Sequence, residues 1–523
     1  MSEMDFEQRL QSLLPYIVLC GFVFSPVYFA ALLVLVWLGR KVLAGWIVKV
    51  VILGLNLVNF CVLFFRDGIV AGSMSLTSGM SWLFGYNPIV MTVPLLCILV
   101  FAFIEVESAD SALLTKHRSE QSKLWIETKE VPVDAGRSHL FVGGTTGSGK
   151  TTYLMHYIED SIKANEPLYI VSGKNGADDD RSLISMTKKL AKRYDRDLII
   201  VSLNQREKAR RVYNPLAEMS VTEVSDALAS ISDYTEPHYK ACTTTWIKAI
   251  AECLVLGGIP LSLASICAFY SYSHFSELIA SLKKKEILSK EKAAQYLDLR
   301  EIAEEAELSE SRYRNLLFGD GADLFSDGSV YENCSTARNK SAIFFIDLDS
   351  FRYSDFTQAV GKLFIHDIRH IISTETDMKT PKRVIMDELG SFATESMMPL
   401  FSQARSYGYQ IIVATQSLAD LDAVSETFSE RVLENCGQYA VLQMNSAKDA
   451  ERISNIIGTI ETIETTRKSS GSLLDASGAG TKKVIHEYKV PPDIIKELPP
   501  LTAIYYNKRI TDQVEFINVP FVV

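Results

Sequence analysis

The N-terminal fifth of the chain is dominated by long apolar stretches that carry almost no charge. Three of them, residues 13–39, 46–65 and 88–106, are predicted to cross a membrane as helices. A helix rises about 1.5 Å per residue and the hydrocarbon core of a bilayer is about 30 Å thick, so roughly 20 apolar residues span it. The first stretch is too long for the apolar part of a secretory signal, which favours a membrane anchor.

The charges that flank these stretches predict their orientation. Arg40, Lys41 and Lys49 lie between the first two stretches or at their border, and Lys116 and Arg118 follow the third. Basic residues concentrate on the cytoplasmic side of membrane proteins, so three spans would place the C-terminal body in the cytoplasm. Because Lys49 weakens the second stretch, a two-span alternative stays open, and it would place the N-terminus inside.

Beyond a polar connector, the pattern changes to short apolar runs separated by segments of helical periodicity. Runs of this kind that alternate with helices of about 10 to 15 residues predict a parallel, doubly wound α/β sheet. The predicted strands are residues 140–142, 167–171, 197–201, 342–346, 383–388, 409–415 and 439–443. The tail, residues 485–523, is predicted to be rich in β-structure.

One long segment interrupts this alternation. It follows the sequence YNPL at residues 213–216 and shows helical periodicity with few strand signals, so we expect an all-α domain inserted into the sheet domain. The predicted divisions are an anchor in 1–115, the first part of the α/β domain in 116–216, the all-α insertion in 217–325, and the second part with the β-rich tail in 326–523.

Composition adds two limits to this picture. Hydrophobic residues make up 47% of the 523 residues and the mean hydropathy is +0.10, which fits an anchor followed by a soluble body. The formal net charge of −10 argues against a surface that wraps duplex DNA non-specifically, because such binding depends on many Lys and Arg contacts to phosphate. The eight cysteines include no C-x-x-C pair, so neither a zinc site nor a disulfide framework is indicated.

The segment SHLFVGGTTGSGKTT, residues 138–152, carries the strongest chemical signal. An apolar strand leads directly into a match to G-x-x-x-x-G-K-[ST], the P-loop pattern. The glycines let backbone N–H groups curl around a polyphosphate, and the following helix adds the positive end of its dipole. Lys150 is expected to reach the β- and γ-phosphates of ATP, and Thr151 to bind Mg²⁺. The predicted nucleotide-binding residues here are Gly144, Thr145, Thr146, Gly147, Ser148, Gly149, Lys150, Thr151 and Thr152.

A second apolar strand ends in two acidic residues, Asp387 and Glu388, and supplies the partner that a P-loop requires. Asp387 is expected to hold Mg²⁺ through water as part of the nucleotide site, and Glu388 to polarise the water that attacks the γ-phosphate. Adjacent acidic residues also occur in ordinary turns, but their combination with the P-loop favours the catalytic role.

Two more residues are candidates for catalysis. Gln416 directly follows the next strand, where side chains face the cleft at the carboxyl ends of the strands, and is expected to sense the γ-phosphate. Arg405 lies before that strand and is expected to stabilise transition-state charge in its own or a neighbouring subunit. An ordinary surface arginine is the alternative for Arg405.

Together these motifs resemble the type IV secretion coupling proteins, the TraG/TraD-like conjugation ATPases. The resemblance covers most of residues 138–460 and includes the apolar N-terminus. Its motifs are GGTTGSGKTT in the P-loop, YNPL at 213–216 ahead of the helical insertion, MDELGSF at 386–392 and FSQARSYGYQIIVATQSLADL at 401–421. It implies a RecA-like P-loop ATPase domain with an all-α inserted domain, preceded by transmembrane helices.

The resemblance also implies what the protein does and where. It implies a multi-pass homohexamer of the inner membrane that uses ATP and Mg²⁺ to hand a relaxase-bound single DNA strand, or protein substrates, to a type IV secretion channel. Adaptor proteins are further expected partners. By matched position, Lys150 and Thr151 belong to Walker A and Asp387 and Glu388 to Walker B, while Arg405 and Gln416 correspond to an arginine and a glutamine of the family.

The chain departs from the family after its second predicted strand. Where the family commonly has an Asp-Pro-Lys-Gly-like turn, this chain has SGKNG at residues 172–176, which keeps a basic residue in Lys174 and loses the acid. The body is also short for the family, so the choice of cargo is expected to depend on the helical insertion or on adaptors.

Two alternative functions stay open. A membrane-anchored double-stranded DNA translocase (FtsK/SpoIIIE-like) would share the anchor, the ring and the P-loop, but it would carry a winged-helix DNA reader, which residues 485–523 do not suggest. A nucleotide-regulated membrane docking platform without motor activity is the other, and the intact pair Asp387 and Glu388 argues against it.

Two short basic runs are candidates for contact with DNA. No aromatic residues are interleaved with them, so solvated surface is the favoured interpretation for each. The runs comprise Arg206, Lys208, Arg210 and Arg211, and Lys283 to Lys285.

Overall fold

The computed structural model describes the greater part of the chain beyond residue 129. The described residues are 130–133, 137–174, 180–204, 207–232, 234, 236–325, 330–467, 480–509 and 514–522. The chain divides into two compact units, residues 1–118 and 119–523, and the described residues belong to the second. The three predicted membrane spans lie outside the described residues. Within the described part, no helix combines the length and the apolar character needed to cross a bilayer.

Strands and helices alternate along the described chain. The strands are β1 Leu140–Gly143, β2 Leu168–Ser172, β3 Leu198–Ser202, β4 Ile343–Asp347, β5 Lys382–Asp387, β6 Tyr409–Thr415, β7 Gln438–Val441, β8 Thr459–Arg467, β9 Gly480–Tyr488, β10 Thr502–Asn507 and β11 Val514–Asn518. The helices are α1 Lys150–Lys163, α2 Leu183–Arg193, α3 Val221–Ile231, α4 Pro237–Leu256, α5 Leu263–Ala268, α6 Tyr272–Lys284, α7 Lys290–Leu297, α8 Arg300–Asn315, α9 Cys334–Lys340, α10 Ser354–Ser373, α11 Met398–Gln403, α12 Leu418–Asp422, α13 Phe428–Asn435, α14 Ala447–Ile457 and α15 Pro492–Lys496.

The main sheet has the strand order β11-β10-β7-β1-β6-β5-β2-β4-β3. The seven strands from β7 to β3 in this order are all parallel to one another. Nearly every residue of these strands is buried, which explains why they read as continuous apolar runs rather than as alternating ones. The predicted α/β class, with a parallel core and crossover helices, is confirmed.

The tail corrects one part of that expectation, because the sheet is mixed rather than wholly parallel. β10 pairs antiparallel with β7, and β11 pairs antiparallel with β10. A link as short as the one between Asn507 and Val514 cannot make the crossover that a parallel pair requires, so β11 must return antiparallel. β8 and β9 form a separate antiparallel ribbon.

Helices cover both faces of the sheet, and two apolar clusters fill the space between them. Side chains alternate along each strand, so Leu140 and Val142 of β1 pack on one face with α1, whereas Phe141 belongs to the other cluster. That second cluster continues without a break into the helical segment that follows β3, where Trp246 is fully buried.

Helices α3 to α8 form the segment that interrupts the sheet. The chain enters it through YNPL and leaves it beside the same residues: the backbone N–H of Tyr213 donates to the carbonyl of Leu324 at 2.7 Å, and that of Asn214 to Glu332 at 3.1 Å. The Glu332 N–H donates in turn to the carbonyl of Val212 at 2.8 Å. The entry and the exit of the helical segment are therefore held side by side.

Candidate functional site

The P-loop lies between β1 and α1 at the carboxyl edge of the parallel strands. β1 is flanked by β6 and β7, so the loop emerges near the middle of the sheet. Gly147 and Gly149 adopt positive φ angles of 80° and 111°, and a side chain would strain the backbone at both positions. The glycines thus serve the curled backbone that the motif predicts.

Close packing against the neighbouring strand explains a third glycine. A Cβ atom on Gly144 would lie 2.7 Å from the Ser148 hydroxyl and 2.9 Å from Cβ of Leu442. The loop is also tied to that side of the sheet, because the N–H of Thr145 donates to the carbonyl of Gln443 at 2.7 Å. The N–H of Leu501 donates to the carbonyl of Ser148 at 2.9 Å. The loop therefore has a fixed shape.

Lys150 is buried, with 7% of its surface exposed, and its side chain folds back over the loop. Its ammonium group donates to the carbonyl oxygens of Gly144, at 2.6 Å, and Thr145, at 3.3 Å. Burial lowers the pKa of Lys150, while the carboxylates of Glu388 and Asp387 act in the opposite direction. The structure therefore brings the Walker A lysine and the acidic pair into one electrostatic environment.

Asp387 ends β5, and Glu388 follows it in the turn. Asp387 is 2% exposed, and burial together with the charge of Glu388 raises its pKa to about 6. Glu388 has a φ of 55°, which is unusual for a residue other than glycine and turns its side chain away from the path of the strand. Such conformations cost on the order of 1–3 kcal/mol and are concentrated at functional sites.

Gln416 connects the P-loop to the acidic turn. Its side-chain amide donates to Oε1 of Glu388 at 2.8 Å, and its carbonyl oxygen accepts the hydroxyl of Thr146 at 2.7 Å. Thr146 belongs to the P-loop and Glu388 to the strand-end pair, so one glutamine side chain bridges the two halves of the site.

The residues present fit Mg²⁺ and a nucleotide. Burial raises the pKa of Asp387, and the adjacent charge of Glu388 raises it further, a charge arrangement that a divalent cation would relieve. Oxygen ligands of this kind are the ones that Mg²⁺ prefers. Thr151 opens α1 immediately after Lys150, at the end where the helix dipole favours phosphate.

Arg405 is not near this group in the same chain. It is exposed and lies in the 3₁₀ turn Ala404–Tyr407, before β6 begins. The P-loop borders the other end of β6, where Gly143 is in register with Thr415. A strand of seven residues extends over roughly 20 Å, so Arg405 lies at the opposite edge of the sheet from the P-loop.

The unusual turn after β2 lies directly beside the acidic pair. The N–H of Gly173 donates to the carbonyl of Asp387 at 3.2 Å, and a Cβ atom on Gly173 would lie 2.2 Å from the hydroxyl of Ser391. The charge of Lys174 lowers the pKa of Asp387, against the larger effect of burial. Residues 175 and 176 lie outside the described residues.

One residue at the rim was not predicted. Asn445, which follows β7, donates from its side-chain amide to the hydroxyl of Thr145 at 3.2 Å. No motif points to this residue, because its place depends on β7 being the neighbour of β1. A search for polar residues after every predicted parallel strand would have found it.

Comparisons with known proteins agree with this fold. Residues 381–500 match the family described as the TraM recognition site of TraD and TraG. The solved structure of the bacterial conjugative coupling protein TrwBΔN70 in its unbound form is similar, with 17% sequence identity and a TM-score of 0.55, over 76% of this chain and 89% of that one. No curated protein has a sequence that matches this chain.

Two further TrwB structures contain nucleotides. The complex with ADP and Mg²⁺ has 17% identity and a TM-score of 0.52, and the complex with the non-hydrolysable ATP analogue ADPNP has 16% identity and a TM-score of 0.53. Each of these two matches covers 76% of this chain and 89% of the TrwB chain.

The fold and the site define a P-loop α/β protein with a helical segment between two strands of its sheet. Within that class, the predicted resemblance to the TraG/TraD-like type IV coupling proteins is confirmed, by the family match of residues 381–500 and by the shared fold.

Proposed function

We propose that this chain is an ATPase coupling protein that recruits a relaxase-bound single DNA strand, protein substrates or both to a type IV secretion channel. The carrying observation is the bridge that Gln416 makes between Thr146 of the P-loop and Glu388. The proposal is supported because γ-phosphate hydrolysis requires a phosphate cradle, a lysine and a carboxylate that can polarise water in one cleft.

The roles in the site follow from this arrangement. Residues 144–152 bind the phosphates through backbone N–H groups and Lys150. Thr151 and Asp387 hold Mg²⁺, which neutralises charge on the β- and γ-phosphates when it is bound. Glu388 orients the attacking water, and Gln416 reports the presence of the γ-phosphate, because a phosphate in the cleft would compete for its hydrogen bonds. Arg405 acts on the site of a neighbouring subunit.

The wider setting belongs to the same proposal. Residues 13–39, 46–65 and 88–106 anchor the chain in the inner membrane as a multi-pass protein, with the ATPase body in the cytoplasm. The body assembles as a homohexamer, and adaptors or channel components bind it. The match of residues 381–500 to a segment described as the recognition site for TraM supports a partner-binding role for this region.

ATP turnover by the full-length chain tests the proposal. Wild type should hydrolyse ATP in a Mg²⁺-dependent manner and be stimulated by single-stranded DNA, whereas Lys150→Ala should lose nucleotide binding because the phosphates lose their cation. Stimulation by duplex DNA alone would favour the chromosome-translocase alternative. The absence of turnover under every condition, in a chain that still binds ATP, would favour the docking platform.

A further inference from the structure

The loop between β4 and α10 presents one fully exposed aromatic side chain. Phe351 is 100% exposed, the highest fraction among the large hydrophobic residues of the described chain. Beside it, the guanidinium of Arg352 lies over the ring of Tyr353 at 4.9 Å from the centroid. An aromatic ring and a cation that face solvent together are the groups that stack on and attract nucleic-acid bases and phosphates.

This loop is held in place rather than loosely tethered. The N–H of Leu348 donates to the carbonyl of Ser172 at 2.8 Å, and that of Ser350 to the carbonyl of Gly173 at 3.1 Å. The N–H of Arg352 donates to the side chain of Asp349 at 3.1 Å. These bonds fix the backbone on both sides of Phe351, so its exposure is a property of the ordered loop.

The described loops beside this one expose further positive charge. Strands β3 and β4 are neighbours, with Ser202 in register with Asp347, so the loops that follow them leave the sheet side by side. The loop after β3 exposes Lys208 and Arg211, and the turn after β2, on the other side of β4, exposes Lys174.

Two acidic groups near these loops are engaged with other cations. Glu207 is buried against Lys188, and Asp323 pairs with Arg210 at 2.8 Å. Asp355, at the start of α10, is the exposed carboxylate that faces solvent closest in sequence to Phe351. In a chain with a formal net charge of −10, a surface with Lys174, Lys208, Arg211 and Arg352 on adjacent loops is complementary to a polyanion.

The loop is also connected to the nucleotide site through one residue. Gly173 donates its N–H to the carbonyl of Asp387 at 3.2 Å and accepts the N–H of Ser350 through its own carbonyl. A Cβ atom on Gly173 would collide with Ser391 and lie 3.3 Å from Cβ of Glu388, so only glycine fits in this turn beside the acidic pair.

We propose that Phe351 and Arg352 form the single-strand nucleic-acid contact of this protein, with Phe351 stacking on a base and Arg352, Lys208 and Arg211 binding the flanking phosphates. This deepens the proposed coupling function and rests on it, since it names the surface that receives the DNA strand. It also assigns a role to part of the basic run near residue 208, whose missing aromatic partner is supplied by the neighbouring strand's loop.

Binding of fluorescein-labelled oligo(dT) to the full-length chain, followed by anisotropy, tests the contact. Base stacking contributes about 1–3 kcal/mol, so Phe351→Ala should weaken binding roughly 5-fold to 100-fold, while Phe351→Trp should retain it. Leu308→Ala is the matched control, because Leu308 is also a highly exposed apolar residue, at 77%, but lies on α8. It should bind as wild type does.

Two further probes separate stacking from charge. An abasic oligonucleotide of the same length offers phosphates without bases, so wild type and Phe351→Ala should bind it equally. Arg352→Gln should weaken binding to both oligonucleotides. It should also reduce the slope of affinity against salt concentration, because binding with one phosphate contact fewer releases fewer counterions.

The outcomes distinguish this inference from the proposed function. Equal oligo(dT) affinity of Phe351→Ala and wild type, in a chain that hydrolyses ATP, would overturn the contact and leave the ATPase standing; the exposed ring would then be a protein-binding residue. A wild-type chain that neither hydrolyses ATP nor binds oligo(dT) would overturn both.

Discussion

Gln416 is the residue whose side chain links the two halves of the candidate nucleotide site. Its amide group both donates to Glu388 and accepts from Thr146, so an isolated mutation of it unties the P-loop from the acidic turn. Glu388, whose backbone is strained with a φ of 55°, then loses the hydrogen bond that Gln416 donates to its side chain.

Gln416→Ala is therefore expected to reduce ATP turnover while leaving ATP binding nearly intact. Loss of a positioned hydrogen-bonding group in an active site typically costs about 10²- to 10³-fold in turnover, whereas the P-loop and Lys150 still bind the phosphates. Gln403→Ala, which changes an exposed glutamine on α11, serves as the control. Steady-state phosphate release and equilibrium binding of a fluorescent ATP analogue measure the two effects. Equal losses in binding and turnover would argue that Gln416 is only a structural residue.

The local motif was sufficient to predict Lys150 and the acidic pair, because both sit in short segments whose composition reflects their chemistry. The partnership of Thr146 with Gln416 needed more, since 270 residues separate the two and only the adjacency of β1 and β6 brings them together. The same reason kept Asn445 out of the prediction. Whether these residues act as proposed stays a prediction.

At the scale of the elements, a buried carboxylate connects the sheet domain to the helical segment. Asp367 of α10 is fully buried and accepts the hydroxyl of Tyr213 at 3.1 Å and the N–H of Cys334 at 3.0 Å. One carboxylate thus joins the start of the helical segment, the helix α9 and the long helix α10. Burial raises the pKa of Asp367 to about 7, against the hydrogen bonds that favour its ionised form.

This raised pKa predicts how stability depends on pH. The folded pKa lies above the usual value of 3.8, so the stability that protonated Asp367 contributes is fully present below about pH 4 and is lost as the pH rises through about 7. Asp367→Asn keeps the acceptor oxygen without the charge. Relative to this variant, wild type should lose roughly 2–3 kcal/mol of unfolding free energy between pH 5 and pH 8.

Chemical denaturation of both proteins at pH 5, 6, 7 and 8 measures that difference. Other titrating groups cancel in the comparison because both proteins share them. If the difference in unfolding free energy between the two proteins does not change with pH, Asp367 keeps an ordinary pKa. Its burial in the ionised form then costs no stability. Tyr213→Phe is the companion variant, and the loss of its hydroxyl should destabilise the fold by about 1–3 kcal/mol.

The parallel strands were predictable at this scale, because strands buried on both faces read as uninterrupted apolar runs. The direction of β10 and β11 was not, since an apolar strand at a sheet edge has the same composition in either orientation. The short link before β11 was the available signal. The joining of the helical segment at YNPL also depended on pairing between Asn214 and Glu332, which are distant in sequence.

At the scale of the whole molecule, the position of Arg405 decides how the site is completed. It lies at the opposite edge of the sheet from the P-loop of its own chain, so a catalytic role requires a neighbouring subunit. For Arg405 to act in the proposed closed ring, the edge of one subunit that bears it has to meet the nucleotide cleft of the next.

Mixing two inactive variants tests this arrangement. Glu388→Gln subunits retain Arg405, and Arg405→Ala subunits retain Glu388, so each alone should turn over ATP at least tenfold more slowly than wild type. Mixed assemblies should regain part of the activity at the interfaces where an intact Glu388 meets an intact Arg405. Mixing each variant with a double variant that carries the same substitution together with Lys150→Ala controls for simple dilution. Such mixtures contain no interface where an intact Glu388 meets an intact Arg405. If mixed assemblies show no recovery, Arg405 does not act across an interface.

The proposed membrane anchor and the proposed substrate belong to the same scale, and the fold alone does not determine them. Similarity to solved structures at 16–17% identity shows a shared fold. Composition and motifs did not single out Phe351, the proposed contact for the DNA strand, because a lone phenylalanine in a loop has no periodic signature.

The most direct test of the account is a side-by-side measurement of ATP binding and phosphate release by wild type and Glu388→Gln. The change removes the charge that polarises the attacking water but keeps the shape of the side chain. The account predicts that the variant binds MgATP as tightly as wild type and releases phosphate at least a hundredfold more slowly. Equal rates of phosphate release in the two proteins would contradict it.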